Sequence, residues 1–160
     1  MFGIKKHIIS DELLAPITGE IVNLNTVSDP VFAQGMMGDG FAIKPDLNDY
    51  ELLAPVSGEI TMMQGHAVGM VREDGLEFLL HIGIDTVSLK GAPFTSLVKR
   101  GKRIKAGSPI IEVDWQQIIT NKLDPTVMAL IPNSKTNLGL LTVTEQSVVK
   151  RQVIGQATVK

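Results

Sequence analysis

Two histidines carry the chemistry this chain could do. His81 lies in Glu77 to Gly91, EFLLHIGIDTVSLKG, directly after the apolar run Phe78, Leu79 and Leu80 and four residues before the carboxylate of Asp85. His66 lies fifteen residues upstream, in QGHAVGM. Two neighbouring neutral imidazoles suit three chemistries. One can be a nucleophile that accepts a phosphoryl group while the other hydrogen-bonds the phosphoryl oxygens. Both can bind zinc with a carboxylate as third ligand. Or they can form a general acid–base pair. An isolated histidine at a strand end is more often packed and bonded to backbone, but the spacing here argues for a pair. The segments carrying His66 and His81 flank one turn, Glu73-Asp74-Gly75, at nearly equal distances. An antiparallel hairpin centred on that turn would bring the two Cβ atoms to about 5 Å. The third histidine, His7, stands near the start of the chain with no partner residues by pattern.

Other chemistries lack their residues. The chain has no cysteine, which excludes disulfides, thiolate metal sites and a cysteine nucleophile and fits a reducing cytosol. No G-x-S-x-G occurs, and Ser57 belongs to a repeated turn. Gly38 and Gly40 are too short a pattern for a nucleotide fingerprint, and the first half lacks a βαβ rhythm. A formal net charge of -2 advertises no face for nucleic acid. No stretch approaches the ~18 apolar residues of a membrane span, and the N-terminus lacks the pattern of a signal peptide.

The elements that must position the histidines read as strands. Hydrophobic content is 44% but aromatic content only 4%, so the core is aliphatic; with 15 glycines and 8 prolines this favours strands and turns over a helix bundle. The strongest organisational feature is an internal repeat: LLAPITGEIVNL from Leu13 and LLAPVSGEITMM from Leu52, 39 residues apart. In each copy an apolar pair enters, Pro16 or Pro55 starts a turn, and Gly19 or Gly58 closes it. Further strands are expected over Phe41–Lys44, Ala67–Val71, Leu76–Gly83, Thr86–Leu89, within Gly101–Val113, and over Val127–Pro132, Leu138–Val143 and Ile154–Lys160. Pro93–Arg100 reads as one or two helical turns. Asp114–Leu123 is the best helix candidate, with Asp114 as cap and Trp115, Ile118 and Ile119 on one face. The expected fold is all-β: a duplicated antiparallel β-sandwich, barrel-sandwich-like, with a few short helices. Residues 1–12 are expected to form a flexible N-terminal segment and 13–160 a single domain.

Several ordered segments resemble one family. They are APITGEIV, SDPVFAQGMMGDGFAIKP, APVSGEI, the GHA at His66, LLHIGIDTVSLKG and the G-x-x-I-K-A-G-x-P-I run from Gly101. From about Leu14 to the C-terminus the sequence resembles the glucose-type enzyme IIA of the bacterial phosphoenolpyruvate-dependent sugar phosphotransferase system. The resemblance implies that His81 accepts a phosphoryl group on Nε2 from the phosphohistidine of the carrier HPr and passes it to the cysteine of a IIB domain. A backbone carbonyl near Gly83 would hold the Nδ1 proton. His66 would stabilise the phosphoryl group. Asp29 and Asp85 would flank the site and meet an arginine of HPr, with Val31, Phe32, Phe41, Phe78 and Ile82 as apolar contacts. Gln64 stands two residues before His66, where the family often has a threonine that bonds the supporting histidine. The implied partners are HPr, the IIB domain of a separate sugar permease, and regulatory targets. The resemblance calls for no cofactor and no metal, although His66 and His81 remain candidate zinc ligands. The implied location is the cytoplasm. The alternatives are a regulatory module of the same family with little phosphotransfer, and a lysostaphin-like zinc metallopeptidase. His81-x-x-x-Asp85 mimics one element of that peptidase, but no histidine follows His81. A biotinyl or lipoyl carrier would need a lysine at a hairpin tip in an MKM-like setting.

Overall fold

The computed structural model describes residues 10–160. In chain order the strands are β1 (Glu12–Leu14), β2 (Gly19–Val22), β3 (Asp39–Pro45), β4 (Glu51–Leu53), β5 (Gly58–Met63), β6 (Ala67–Val71), β7 (Glu77–Ile82), β8 (Phe94–Ser96), β9 (Arg103–Ile104), β10 (Pro109–Val113), β11 (Val127–Ile131), β12 (Leu138–Val143), β13 (Ser147–Val148) and β14 (Val153–Val159). Three short helices interrupt them: α1 (Pro30–Ala33), α2 (Trp115–Thr120) and α3 (Ser134–Asn137). An eight-stranded sheet runs β13-β2-β3-β11-β7-β6-β5-β9, and two three-stranded sheets run β1-β14-β12 and β4-β10-β8.

The repeat seen in the sequence is a twofold relation in space. The eight-stranded sheet divides into β13-β2-β3-β11 and β9-β5-β6-β7, which meet where β11 pairs with β7. The two LLAP segments cross and exchange backbone bonds: Leu14 N donates to Pro55 O at 3.0 Å, and Leu53 N to Pro16 O at 2.8 Å. Ala54 N then bonds Ser108 O while Gly107 N bonds Ala54 O; in the other half Ala15 N bonds Gln152 O and Arg151 N bonds Ala15 O. Gly107 (φ 84°) and Arg151 (φ 73°) hold the same left-handed turn.

Strand alternation sorts side chains onto the two faces of the large sheet. Inward residues such as Phe41, Ile43, Val68, Met70, Phe78, Leu80, Ile82, Val127 and Ala129 join the main core, with Leu13, Leu52, Ile110, Trp115 and Ile154 from the other layer. Outward residues Ala42, Ala67, Leu79, Met128 and Leu130 form a second cluster, roofed by Leu24, Val27, Phe32 and Ile84. The candidate site lies under this roof.

Three local expectations are corrected. Pro93–Arg100 is not helical: Phe94–Ser96 pairs antiparallel with Ile111–Val113 at the edge of its sheet. Thr86–Leu89 is a 3-10 turn rather than a strand, bracketed by Asp85 and Lys90 in left-handed conformations (φ 61° and 54°) that end any extended run. The N-terminal segment is not free as far as residue 12: Glu12 pairs with Gln156, and Asp11 O accepts from Ala157 N. His7 and the rest of residues 1–9 lie outside the described residues. The helix expected at Asp114 is present as α2, capped by the Asp114 carboxylate on Gln116 N, but Ile119 is 40% exposed and leaves the packing to Trp115 and Ile118.

Candidate functional site

His81 is the next-to-last residue of β7, on the outward face beside Leu79, half-buried. The strand ends at Gly83, whose φ of 76° turns the chain back. That turn aims the Gly83 carbonyl at the histidine it has just left, and His81 Nδ1 lies 2.8 Å from Gly83 O. A carbonyl only accepts, so Nδ1 carries the proton and Nε2 keeps its lone pair. The turn is fixed from below by Thr86, fully buried, whose hydroxyl donates to Ile82 O. A side chain at Gly83 would press on Thr86 and on Asp124 O, 3.0 Å from the added carbon. Phe32 packs against the imidazole with ring centroids 4.8 Å apart. Burial pushes the His81 pKa below its ordinary value; the Gly83 carbonyl opposes this, His66 adds to it, and Asp29 and Asp85 pull back upward. The net result is a neutral ring at neutral pH.

His66 reaches the same place by a different route from the one the hairpin count gave. The residue opposite His81 is Ala67, and His66 O accepts from Ile82 N at 2.7 Å, so the register is one residue off. Simple alternation would aim a residue opposite Ile82 into the core. His66 escapes because it precedes β6 and follows Gly65, whose φ of 74° bends the chain. Its ring stands 5.3 Å from that of His81, edge-on at 77°. His66 Nδ1 lies 3.2 Å from Gln64 O, so a main-chain carbonyl orients the ring at the position that the family resemblance assigns to a threonine hydroxyl. No sequence signal marks that role, because any residue supplies the carbonyl.

Asp29 caps α1, accepting from Val31 N at 2.9 Å, and Asp85 opens the 3-10 turn on the other side; the charge of each acts on His81. Val31 is 41% exposed, whereas Phe32 is spent on His81 and the roof. Phe41, Phe78 and Ile82 cannot be surface contacts. They occupy inward positions of β3 and β7, are 7%, 5% and 0% exposed, and pack in the main core. Among the described residues, no group of three His, Cys, Asp or Glu side chains is placed to hold a metal ion. The histidine pair alone supplies two of the three protein donors a catalytic zinc uses. The arrangement is one nucleophilic nitrogen, one adjacent imidazole and two carboxylates at the rim.

Comparison with known proteins identifies relatives of the whole chain. Residues 11–137 match the model of the family described as phosphoenolpyruvate-dependent sugar phosphotransferase system, EIIA 1. A PTS system glucose-specific EIIA component of Staphylococcus epidermidis is 40% identical over 151 residues, 94% of this chain and 91% of that protein. The component of the same name from Staphylococcus aureus is 35% identical over 151 residues. A raffinose carrier protein of Pediococcus pentosaceus is 40% identical over 131 residues, which are 81% of this chain but 20% of that protein. The solved glucose permease IIA from Mycoplasma capricolum superposes with a TM-score of 0.79 at 34% identity, covering 97% of this chain and 98% of that one.

Proposed function

The chain belongs to the EIIA 1 family of the phosphoenolpyruvate-dependent sugar phosphotransferase system, and on that premise we propose that His81 is the residue through which it carries a phosphoryl group. The family's role is that of a phosphoryl carrier with HPr as donor and a IIB component as acceptor. The observation that carries the assignment to His81 is the 2.8 Å contact from its Nδ1 to Gly83 O, which leaves the Nε2 lone pair free on a half-buried ring. In the transfer, Nε2 attacks phosphorus in line with the donor's phosphoramidate. A new N–P bond forms, the donor's N–P bond breaks, and that electron pair returns to the donor ring. Little covalent work falls to the protein beyond holding the two nitrogens in line.

His66 serves as the supporting partner. Its Nδ1 is turned to Gln64 O at 3.2 Å, which leaves Nε2 as the ring nitrogen to meet a phosphoryl oxygen. Asp29, Asp85 and exposed Val31 form the rim that meets HPr and IIB, where paired carboxylates suit an arginine. We take residues 13–160 as one IIA-type domain, since one core cluster runs from Leu13 to Ala157, and we place its action in the cytoplasm with its carrier partners.

Incubation with phosphoenolpyruvate, enzyme I and HPr, read by intact mass, tests the assignment. Wild type should gain one acid-labile phosphate and His81→Ala none. His66→Ala should accept phosphate and pass it on poorly. Label persisting in His81→Ala sinks the reading; an unlabelled wild type favours a regulatory module instead.

A further inference from the structure

We propose that Asp124 is a positioning residue for His81: its turn holds the Gly83–Ile84 peptide so that His81 keeps its proton on Nδ1, and its carboxylate separately tethers α1. The proposal rests on the reading of His81 as the phosphoryl acceptor. Asp124 lies in the turn between α2 and β11, remote in sequence from both histidines. Its backbone carbonyl accepts from Ile84 N at 2.9 Å. Ile84 N–H and Gly83 C=O belong to one planar, trans peptide unit and point in opposite directions. Fixing the N–H on Asp124 therefore aims the C=O at His81 Nδ1. A neighbouring bond, Gly83 N to Thr126 O at 2.9 Å, fixes the preceding peptide from the same turn.

The carboxylate holds that turn in shape. Oδ1 accepts from Thr126 N at 2.9 Å and from the Thr126 hydroxyl at 2.6 Å. Oδ2 accepts from the Ser28 hydroxyl at 3.2 Å. Ser28 immediately precedes Asp29, the cap of α1, and α1 supplies Phe32, which packs on the His81 ring. One side chain thus ties together the acceptor of the Nδ1 proton and the helix against the ring. If the Gly83–Ile84 peptide rotates, Nδ1–H loses its acceptor, the proton redistributes to Nε2, and the nucleophilic lone pair is lost.

The test compares Asp124→Ala, Asp124→Asn and Ser28→Ala in the full chain. The tautomer of neutral His81 is read from imidazole 15N shifts, and acceptance from phospho-HPr is timed. Asp124→Ala should show a mixed His81 tautomer and accept phosphate on the order of 10-fold more slowly, the scale on which outer partners orient a reactive histidine. Asp124→Asn keeps an acceptor oxygen for Thr126 and should restore both readings. Ser28→Ala should leave the tautomer unchanged and raise the KM for phospho-HPr. An Asp124→Ala protein with a wild-type tautomer overturns the proposal, as does an Asp124→Asn protein as impaired as Asp124→Ala. If Asp124→Ala fails to give a folded amide spectrum, Thr126→Val, which removes only the hydroxyl bond, must show the mixed tautomer for the proposal to stand. The tautomer is measured on unphosphorylated protein, so its outcome is separate from the His81→Ala labelling that tests the acceptor itself.

Discussion

The phosphoryl acceptance proposed for His81 runs through a neutral ring, and its surroundings set the pH range in which that ring is neutral. Burial and the adjacent His66 lower its pKa below 6.5, against the upward pull of the Gly83 carbonyl and of Asp29 and Asp85. The rate of phosphoryl acceptance should therefore be flat through neutral pH and fall only on the acid side of 6.5, as the lone pair is protonated. A pH series of acceptance from phospho-HPr checks this, and a midpoint above 6.5 would contradict it. The stability consequence has the same sign. The unfolded ring binds a proton more readily than the folded one, so the contribution of His81 is present above 6.5 and is lost as pH falls. Asp29 and Asp85 moderate the shift.

At the scale of elements, the site is made by strand ends that depart from regular geometry. Regular alternation puts His81 on the outward face of β7 and Phe78, Leu80 and Ile82 in the core. Regular pairing would not place His66 beside it, since Ala67 holds the opposing position. The bend at Gly65 does so. Its φ of 74° suits glycine, and an added carbon would lie 3.4 Å from Phe94 Cβ. Gly65→Ala should cost about 1–2 kcal/mol in urea unfolding, from the left-handed strain. It should also slow onward transfer to IIB by up to about 100-fold as His66 shifts, because misplacement by an ångström is felt at that level. Onward transfer at the wild-type rate would mean that the bend does not set His66. Gly83 plays the corresponding part for His81, and α1, one turn long, presses Phe32 onto the ring from above.

Across the whole molecule, the twofold arrangement brings the two halves together at β11 and β7, where Met128 opposes His81. The crossing LLAP segments tie the halves by main chain, and side chains reinforce the tie. Lys150 spans to Asp49 at 3.2 Å, and Arg151 Nε donates to Gly107 O at 3.1 Å. Behind the β6–β7 hairpin, Arg72 is buried, pairs with Asp74 at 2.8 Å, and donates to Ala157 O at 2.7 Å in β14. Burial raises the Asp74 pKa, but the Arg72 bonds, the Leu76 N–H and the guanidinium charge outweigh it, so the net shift is downward from 3.8. Asp74→Ala strips the buried guanidinium of its near carboxylate and should cost about 3 kcal/mol. Because the Asp74 pKa is depressed, its contribution is complete above 3.8 and fades as pH falls through the folded value. Urea unfolding at neutral and acid pH reads both effects, and the gap between wild type and variant should narrow in acid. A gap unchanged between the two would contradict the assignment.

The sequence alone determined the candidate residues and the kind of fold. Aliphatic strands, glycine and proline turns and the LLAP repeat specify a duplicated β-sandwich, because hydrophobic period and turn chemistry are local properties. The HIGID and GHA segments single out His81 and His66, and the Gly83 carbonyl could be expected because it lies two residues from the ring it serves. Only the tertiary structure decided the rest. The second half of the duplication is hidden because Gly107-Ser108 and Arg151-Gln152 make equivalent turns with different residues, held by backbone bonds that carry no sequence signature. Phe41, Phe78 and Ile82 look like docking residues until strand parity assigns them inward. The acceptor for His66 is a main-chain carbonyl, which any residue provides. Asp124 lies 43 positions beyond His81 and 96 beyond Ser28, and only the packing of β11 against β7 brings its turn beneath the Gly83 peptide.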